Sequence, residues 1–193
     1  MSYINRKDIV DYQTYQEMRE SFREQVLRAK ELRRIHVGPY LTFLFENKLT
    51  IRYQIQEMMR LEKMVRESDI EHEIKTYNGL LGAPGELGCT LLIEIEDIEL
   101  RDKKLKQWLE VPKHLYVKLT NGQKIYATFD EKQIGDDRLS SVQYLKFNTQ
   151  GAVPIAVGCD HSDIKSETFL KDAQRTALTE DLMQDLEVAY EKN

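Results

Sequence analysis

The chain has 193 residues, 41% hydrophobic and 32% charged, and its 28 Lys and Arg against 33 Asp and Glu give a formal charge of −5. That length predicts one domain over 1–193, able to bury about 70% of the surface its unfolded form exposes without staples. The acidic balance argues against general nucleic-acid or anionic-membrane binding, and no run approaches the ~18 apolar residues of a membrane span. Cys89 and Cys159 lack CxxC spacing, so neither a disulfide framework nor a zinc module is expected. The N-terminus lacks the layout of a secretory signal, and the expected compartment is the cytoplasm.

In chain order, Tyr15, Met18, Phe22, Ala29 and Leu32 carry a helical spacing, which predicts one long helix over 12–36 ending in cations before Gly38-Pro39. A second helix is predicted from about Thr42 to Arg66. A third starts at Ser68, where S-D-I-E has capping-box form. Residues 77–88 hold four of the nine glycines and read as a loop.

From there the periodicity becomes alternating. Residues 89–97 read as a strand with Cys89, Leu91, Ile93 and Ile95 on one face, 99–109 as a short amphipathic helix, and 113–130 as a hairpin. A two-residue Asn121-Gly122 turn would set the apolar residues of the two hairpin strands on opposite faces. A three-residue loop with Gly122 left-handed instead pairs Val117 with Ile125 and Leu115 with Ala127, and is the register expected. Residues 140–148 and 153–160 supply two further strands, and 163–190 reads as a closing helix carrying Phe169, Leu170, Ala173, Ala177, Leu182 and Leu186. The expected fold is α+β: a helical part over about 8–81, packed on a mostly antiparallel sheet of four to five strands over about 88–160, and a C-terminal helix.

The candidate residues begin in 45–65, where helical projection gives apolar side chains on every side. Glu46, Thr50, Tyr53, Glu57 and Arg60 share one stripe, Arg52 and Gln56 another, and Glu62 sits in the most apolar stripe, beside Ile51, Ile55 and Met58. Buried polar groups need partners, so these residues either form a binding site or tie the helix to its neighbours. For Glu57 with Arg60, three positions apart, an intrahelical pair is the plainer reading. For Glu62 the plainer readings are the surface or an arginine of the first helix.

A metal centre of the bundle type wants Glu-x-x-His, which no histidine here provides. The nearest approach is Asp69-x-x-His72, with Glu62 as a third ligand. The sequence requires no cofactor and leaves a metal open. At 158–163, Asp160 and His161 follow a strand and precede a helix, a placement that suits a functional pair. Capping by Asp160 or Ser162, with Cys159 as a small buried hydrophobe, covers the same residues. Arg28, Lys30, Arg33, Arg34 and His36 form a basic helix end that an anion or acidic partner could use.

The segments R-R-I-H-V-G-P-Y-L-T-F-L-F-E-N (33–47), Y-Q-I-Q-E-M-M-R-L-E (53–62), Y-N-G-L (77–80), G-E-L-G-C-T-L-L-I-E (85–94) and S-S-V-Q-Y-L-K-F (140–147) resemble a bacterial family known as domain of unknown function 3501. The likeness spans nearly the whole chain. It implies a neighbourhood with rubrerythrin and an iron–sulfur oxidoreductase-like protein, hence an accessory or binding role in peroxide-related redox metabolism, with those proteins as partners. The alternative is a metal- or ligand-dependent enzyme using acidic and histidine residues of the helices or the 158–163 strand end. Homo-oligomerisation stays open.

Overall fold

The computed structural model describes residues 3–190, with side chains to Met183. Five helices and eight strands make an α+β fold: α1 (Tyr12–Glu31), β1 (Arg34–Val37), β2 (Leu41–Phe45), α2 (Lys48–Glu62), α3 (Glu67–Asn78), β3 (Glu86–Ile93), α4 (Ile98–Gln107), β4 (Leu115–Lys118), β5 (Lys124–Tyr126), β6 (Val142–Asn148), β7 (Ala156–Cys159), β8 (Ser166–Phe169) and α5 (Asp172–Tyr190). The strands form two antiparallel sheets of four, in the orders β1-β2-β3-β6 and β5-β4-β7-β8. The sheets meet at both edges. At one, Thr128 and Lys146 exchange two backbone hydrogen bonds of 2.8 Å; at the other, Thr168 Oγ1 donates to the His36 carbonyl at 2.8 Å and Gln174 Nε2 to that of Arg34 at 3.3 Å.

Between the sheets lies the main core, with Phe43, Phe45, Leu91, Leu115, Val117, Phe147 and Val157 from the strands, Leu105 and Trp108 from α4, and Leu178 and Leu182 from α5. Alternation along each strand delivers one residue in two to this interior. The hairpin follows the expected register: Val117 pairs with Ile125, Ala127 N–H donates to Leu115, and Gly122 takes φ +84, which favours glycine.

Four expectations are corrected. The first helix stops at Glu31, and the second begins at Lys48 behind an Asn47 cap, because the intervening residues are strands β1 and β2. All five residues of β2 are buried, so its Leu-Thr-Phe-Leu-Phe run does not alternate and mimics a helix face. The third helix starts at Glu67 with Arg66 as N-cap, and Ser68 Oγ bonds Asp69 rather than capping. The segment expected as one helix over 163–190 opens with strand β8, held by β7, before α5. The strands therefore form two sheets of four where one sheet of four to five was expected.

Helix α2 is packed on several sides, as its stripes predict. Ile51, Ile55 and Met59 join Ile70 and Ile74 of α3 in one cluster, while Leu49 and Tyr53 lie against Tyr15, Phe22 and Val26 of α1 in another.

Candidate functional site

Glu46, Gln54, Gln56, Glu57 and Arg60 in 45–65 turn out to be ties within the fold. Glu46, 5% exposed, accepts from Thr50 Oγ1 at 2.5 Å, Thr90 Oγ1 at 2.7 Å and Gln54 Nε2 at 3.2 Å, joining α2 to β3. Glu57 accepts from Tyr15 Oη and Arg19 Nε, each at 2.7 Å, and from Arg60 Nη2 at 3.2 Å. Burial alone would raise the Glu57 carboxyl, but the bonds from Arg19, Tyr15 and Arg60 outweigh it and hold the group down at about 2. Burial and that same carboxylate raise the Tyr15 hydroxyl. Gln56 bonds both N–H and carbonyl of Val10, and the Arg52 guanidinium lies 5.1 Å from the Phe22 ring centroid. Of the buried side-chain atoms in this layer, Arg52 Nε and Arg60 Nε have no hydrogen bond among the described residues. These donors and acceptors are consumed by the fold.

Glu62 is exposed at the end of α2. It shares an open depression with Asp69 and His72, so the predicted metal residues do come to one place, while Glu57 points away to α1. Among the described residues, however, no three His, Cys, Asp or Glu side chains stand close enough to hold an ion. Glu62 also has no ion-pair partner among them, which removes the expected pairing with helix one.

Asp160 caps nothing. It is the hub of a network on the outer face of the second sheet, accepting from Tyr126 Oη at 2.7 Å and Lys124 Nζ at 3.0 Å, with His114 Nδ1 at 3.1 Å. Burial works against its ionised form, but Tyr126, Lys124 and His114 together pull the carboxyl down to about 2. The His161 ring stands edge-on to His114 at 5.2 Å, and its Nδ1 caps a short turn at Asp163. Next to this hub, Glu167 accepts from Tyr116 Oη and Lys118 Nζ, both at 2.9 Å. Cys159 faces the core, where burial raises its thiol to about 11, and burial also holds the Cys89 thiol well above its ordinary value. Neither suits thiolate chemistry.

A groove of about 670 Å³ runs along the β1–β8 edge, walled by α1 and the start of α5 and lined by Leu27, Lys30, Arg34, His36, Phe169 and Lys171, with Arg28, Glu24 and Glu31 at its rim. Leu27 is 48% and Phe169 64% exposed, two large apolar side chains beside cations. Arg28 is paired to Glu24, but Lys30, Arg34 and Lys171 have no carboxylate within ion-pair distance among the described residues. Burial lowers the Lys30 amine, Glu46 opposes that, and Arg34 lowers it further. The basic helix end read from the sequence thus splits. Arg33 turns inward to a bidentate pair with Asp181 at 2.7 and 2.8 Å, while Arg34 and His36 face the groove from strand β1. Leu27, Phe169 and Lys171 carried no signal of their own.

A family model described as "Protein of unknown function (DUF3501)" matches residues 3–182. The chain belongs to the DUF3501 family. A crystal structure from Burkholderia pseudomallei K96243, titled a novel protein of unknown function, is similar with a TM-score of 0.84 and 27% identity, covering 93% of this chain and 98% of that one. No curated protein matches. Among the described residues, no helix is long and apolar enough to cross a membrane.

Proposed function

We propose that this DUF3501 protein is an accessory protein that docks an acidic partner of a redox system, of the rubrerythrin or iron–sulfur oxidoreductase type, in the β1–β8 groove. The observation that carries the reading is the groove itself, where exposed Leu27 and Phe169 stand among the unpaired cations Lys30, Arg34 and Lys171. Apolar side chains among cations that outnumber the groove's carboxylates, Glu31 and the Arg28-paired Glu24, give both contact area and electrostatic steering toward an acidic surface. The redox assignment draws on the family resemblance, and the partner's sign on the groove's charges. The helix carboxylates favour docking over catalysis, since Glu46 and Glu57 already spend their lone pairs within the fold.

Calorimetric titration with the rubrerythrin and iron–sulfur proteins encoded by the same genome tests this. Binding that weakens as salt rises, and that disappears in the Arg34→Glu, Lys171→Glu double variant, is expected. No heat with either protein in either redox state would sink the reading.

A further inference from the structure

The first sheet carries charge of both signs on its outer face, and the two patches adjoin. β1 sends Arg34 and His36 outward into the groove, on either side of buried Ile35. Across the sheet Thr42 pairs with His36 and Leu92, and its hydroxyl links His36 Nδ1, at 2.8 Å, to the Glu94 carboxylate. Glu94 Oε2 itself stands 4.0 Å from His36 Nδ1. Beyond β3 the chain keeps the alternation, with Ile93 and Ile95 in the core and Glu94 and Glu96 exposed, then enters α4 with Glu99 exposed and Ile98 71% exposed. Glu94 bonds Thr42 and the Asp97 carboxylate caps the Leu100 N–H, but Glu96 and Glu99 have no side-chain hydrogen bond or ion pair among the described residues. The cations that follow are mostly committed. Arg101 donates to the Ile95 carbonyl at 3.3 Å, the Lys104 amine lies 5.3 Å from the Trp108 ring centroid and Lys106 pairs with Asp102, while Lys103 is exposed. An acidic strip with an exposed isoleucine thus begins where the cationic groove, with exposed Leu27 and Phe169, ends.

We propose that, when no acidic partner fills it, the groove is covered by a second copy of this chain, in a two-fold pair whose axis passes near the His36–Glu94 contact. A two-fold interface sets each patch of one copy against the other patch of its mate, so it needs two complementary surfaces side by side. The groove and the acidic strip supply them. Glu96 and Glu99 of each copy meet Arg34 and Lys171 of the other, and Ile98 of each covers Leu27 and Phe169. The net charge of −5 opposes the approach of two copies, but screening over about 8 Å at physiological salt leaves the facing patches to decide at contact. Pairing regulates the groove, since an acidic partner has to displace the second copy. This deepens the docking reading and rests on it for the use of the groove, but not for the redox identity of the partner.

Sedimentation equilibrium of the full chain tests the pairing, with two charge-reversed variants: Arg34→Glu, Lys171→Glu in the groove and Glu96→Lys, Glu99→Lys in the strip. The native protein is expected to form a reversible dimer. Either variant alone sets like charges face to face and is expected to weaken dimerisation on the order of a hundredfold. An equimolar mixture of the two restores both contacts, acidic groove to basic strip and basic groove to acidic strip, and is expected to recover the dimer, which also shows that both variants fold. A native protein that stays monomeric up to its solubility limit overturns the pairing, as does a dimer that survives in either variant or a mixture that stays monomeric. The strip variant keeps an intact, uncovered groove, so titrating it with the redox proteins separates the two readings. If it binds them while the native protein is monomeric, docking stands and pairing falls. If the native protein dimerises through these patches while the strip variant binds neither redox protein, pairing stands and the redox assignment falls.

Discussion

In the helical layer Glu57 meets Tyr15, Arg19 and Arg60, and Glu46 meets two threonine hydroxyls and Gln54. At the β1–β8 seam, the Arg34 and Lys171 side chains have no carboxylate within ion-pair distance among the described residues. The first region has the density of polar residues that sequence reading takes for a site, yet its hydrogen-bonding capacity is used up in holding α2 against α1 and β3. In the second, Arg28, Glu24, Thr168 and Gln174 are bonded, while the Arg34 and Lys171 charges have no carboxylate partner among the described residues. What distinguishes a recognition surface here is unspent capacity, not the number of charged residues.

That contrast can be broken or sharpened by substitution. The largest effect is expected for Asp181→Ala, which strands the buried Arg33 guanidinium without its bidentate partner and should cost about 3–5 kcal/mol of stability in denaturant titration. Glu57→Ala leaves the Tyr15 hydroxyl and two arginines without an acceptor, and a loss of about 2 kcal/mol is expected, smaller because Arg19 is partly solvated. The same group gives a pH signature. Its carboxyl lies at about 2 in the fold against an ordinary 4.5, so its contribution is fully present above 4.5 and is lost as pH falls toward 2. Thermal melts should decline over that window in the native protein and less steeply in Glu57→Gln.

The groove side of the contrast predicts the reverse. Arg34→Glu, at an exposed position on β1, should change stability by no more than about 0.5 kcal/mol while removing partner binding. Glu62→Gln is expected to have the smallest effect of all, within about 0.5 kcal/mol in the melt, since Glu62 is exposed and has no ion-pair partner among the described residues. A large cost there would mean that the α2–α3 corner carries a tie the structure does not show.

Where one face of an element is wet, the sequence made the fold legible. The 113–130 hairpin with its Gly122 turn and β6 followed from alternation and turn chemistry, while β3, buried from Leu87 to Leu91, was read only in part, at 89–97 against Glu86–Ile93. β1 and β2 did not. Gly38-Pro39 marked a break, but Leu41–Phe45 is buried on both faces and offers no polar residue to reveal a period of two. β8 is four residues long and runs almost directly into α5, so Phe169 and Leu170 read as helix core. The groove was illegible for the same reason. It arises from residues 24–36 meeting 168–174, a contact that exists only after β8 closes against β1, and the basic run at 28–36 was its one local trace. The Asp160 hub was half visible: Asp160 and His161 stood out, while Lys124, Tyr126 and His114 arrive from other strands.

Gly38, at φ +60, lies so near β8 that a methyl group on it would stand 3.3 Å from the Ser166 Cβ. Any side chain there would strain the left-handed backbone and press on Ser166, so the turn between β1 and β2 lies against β8 only because this position has none.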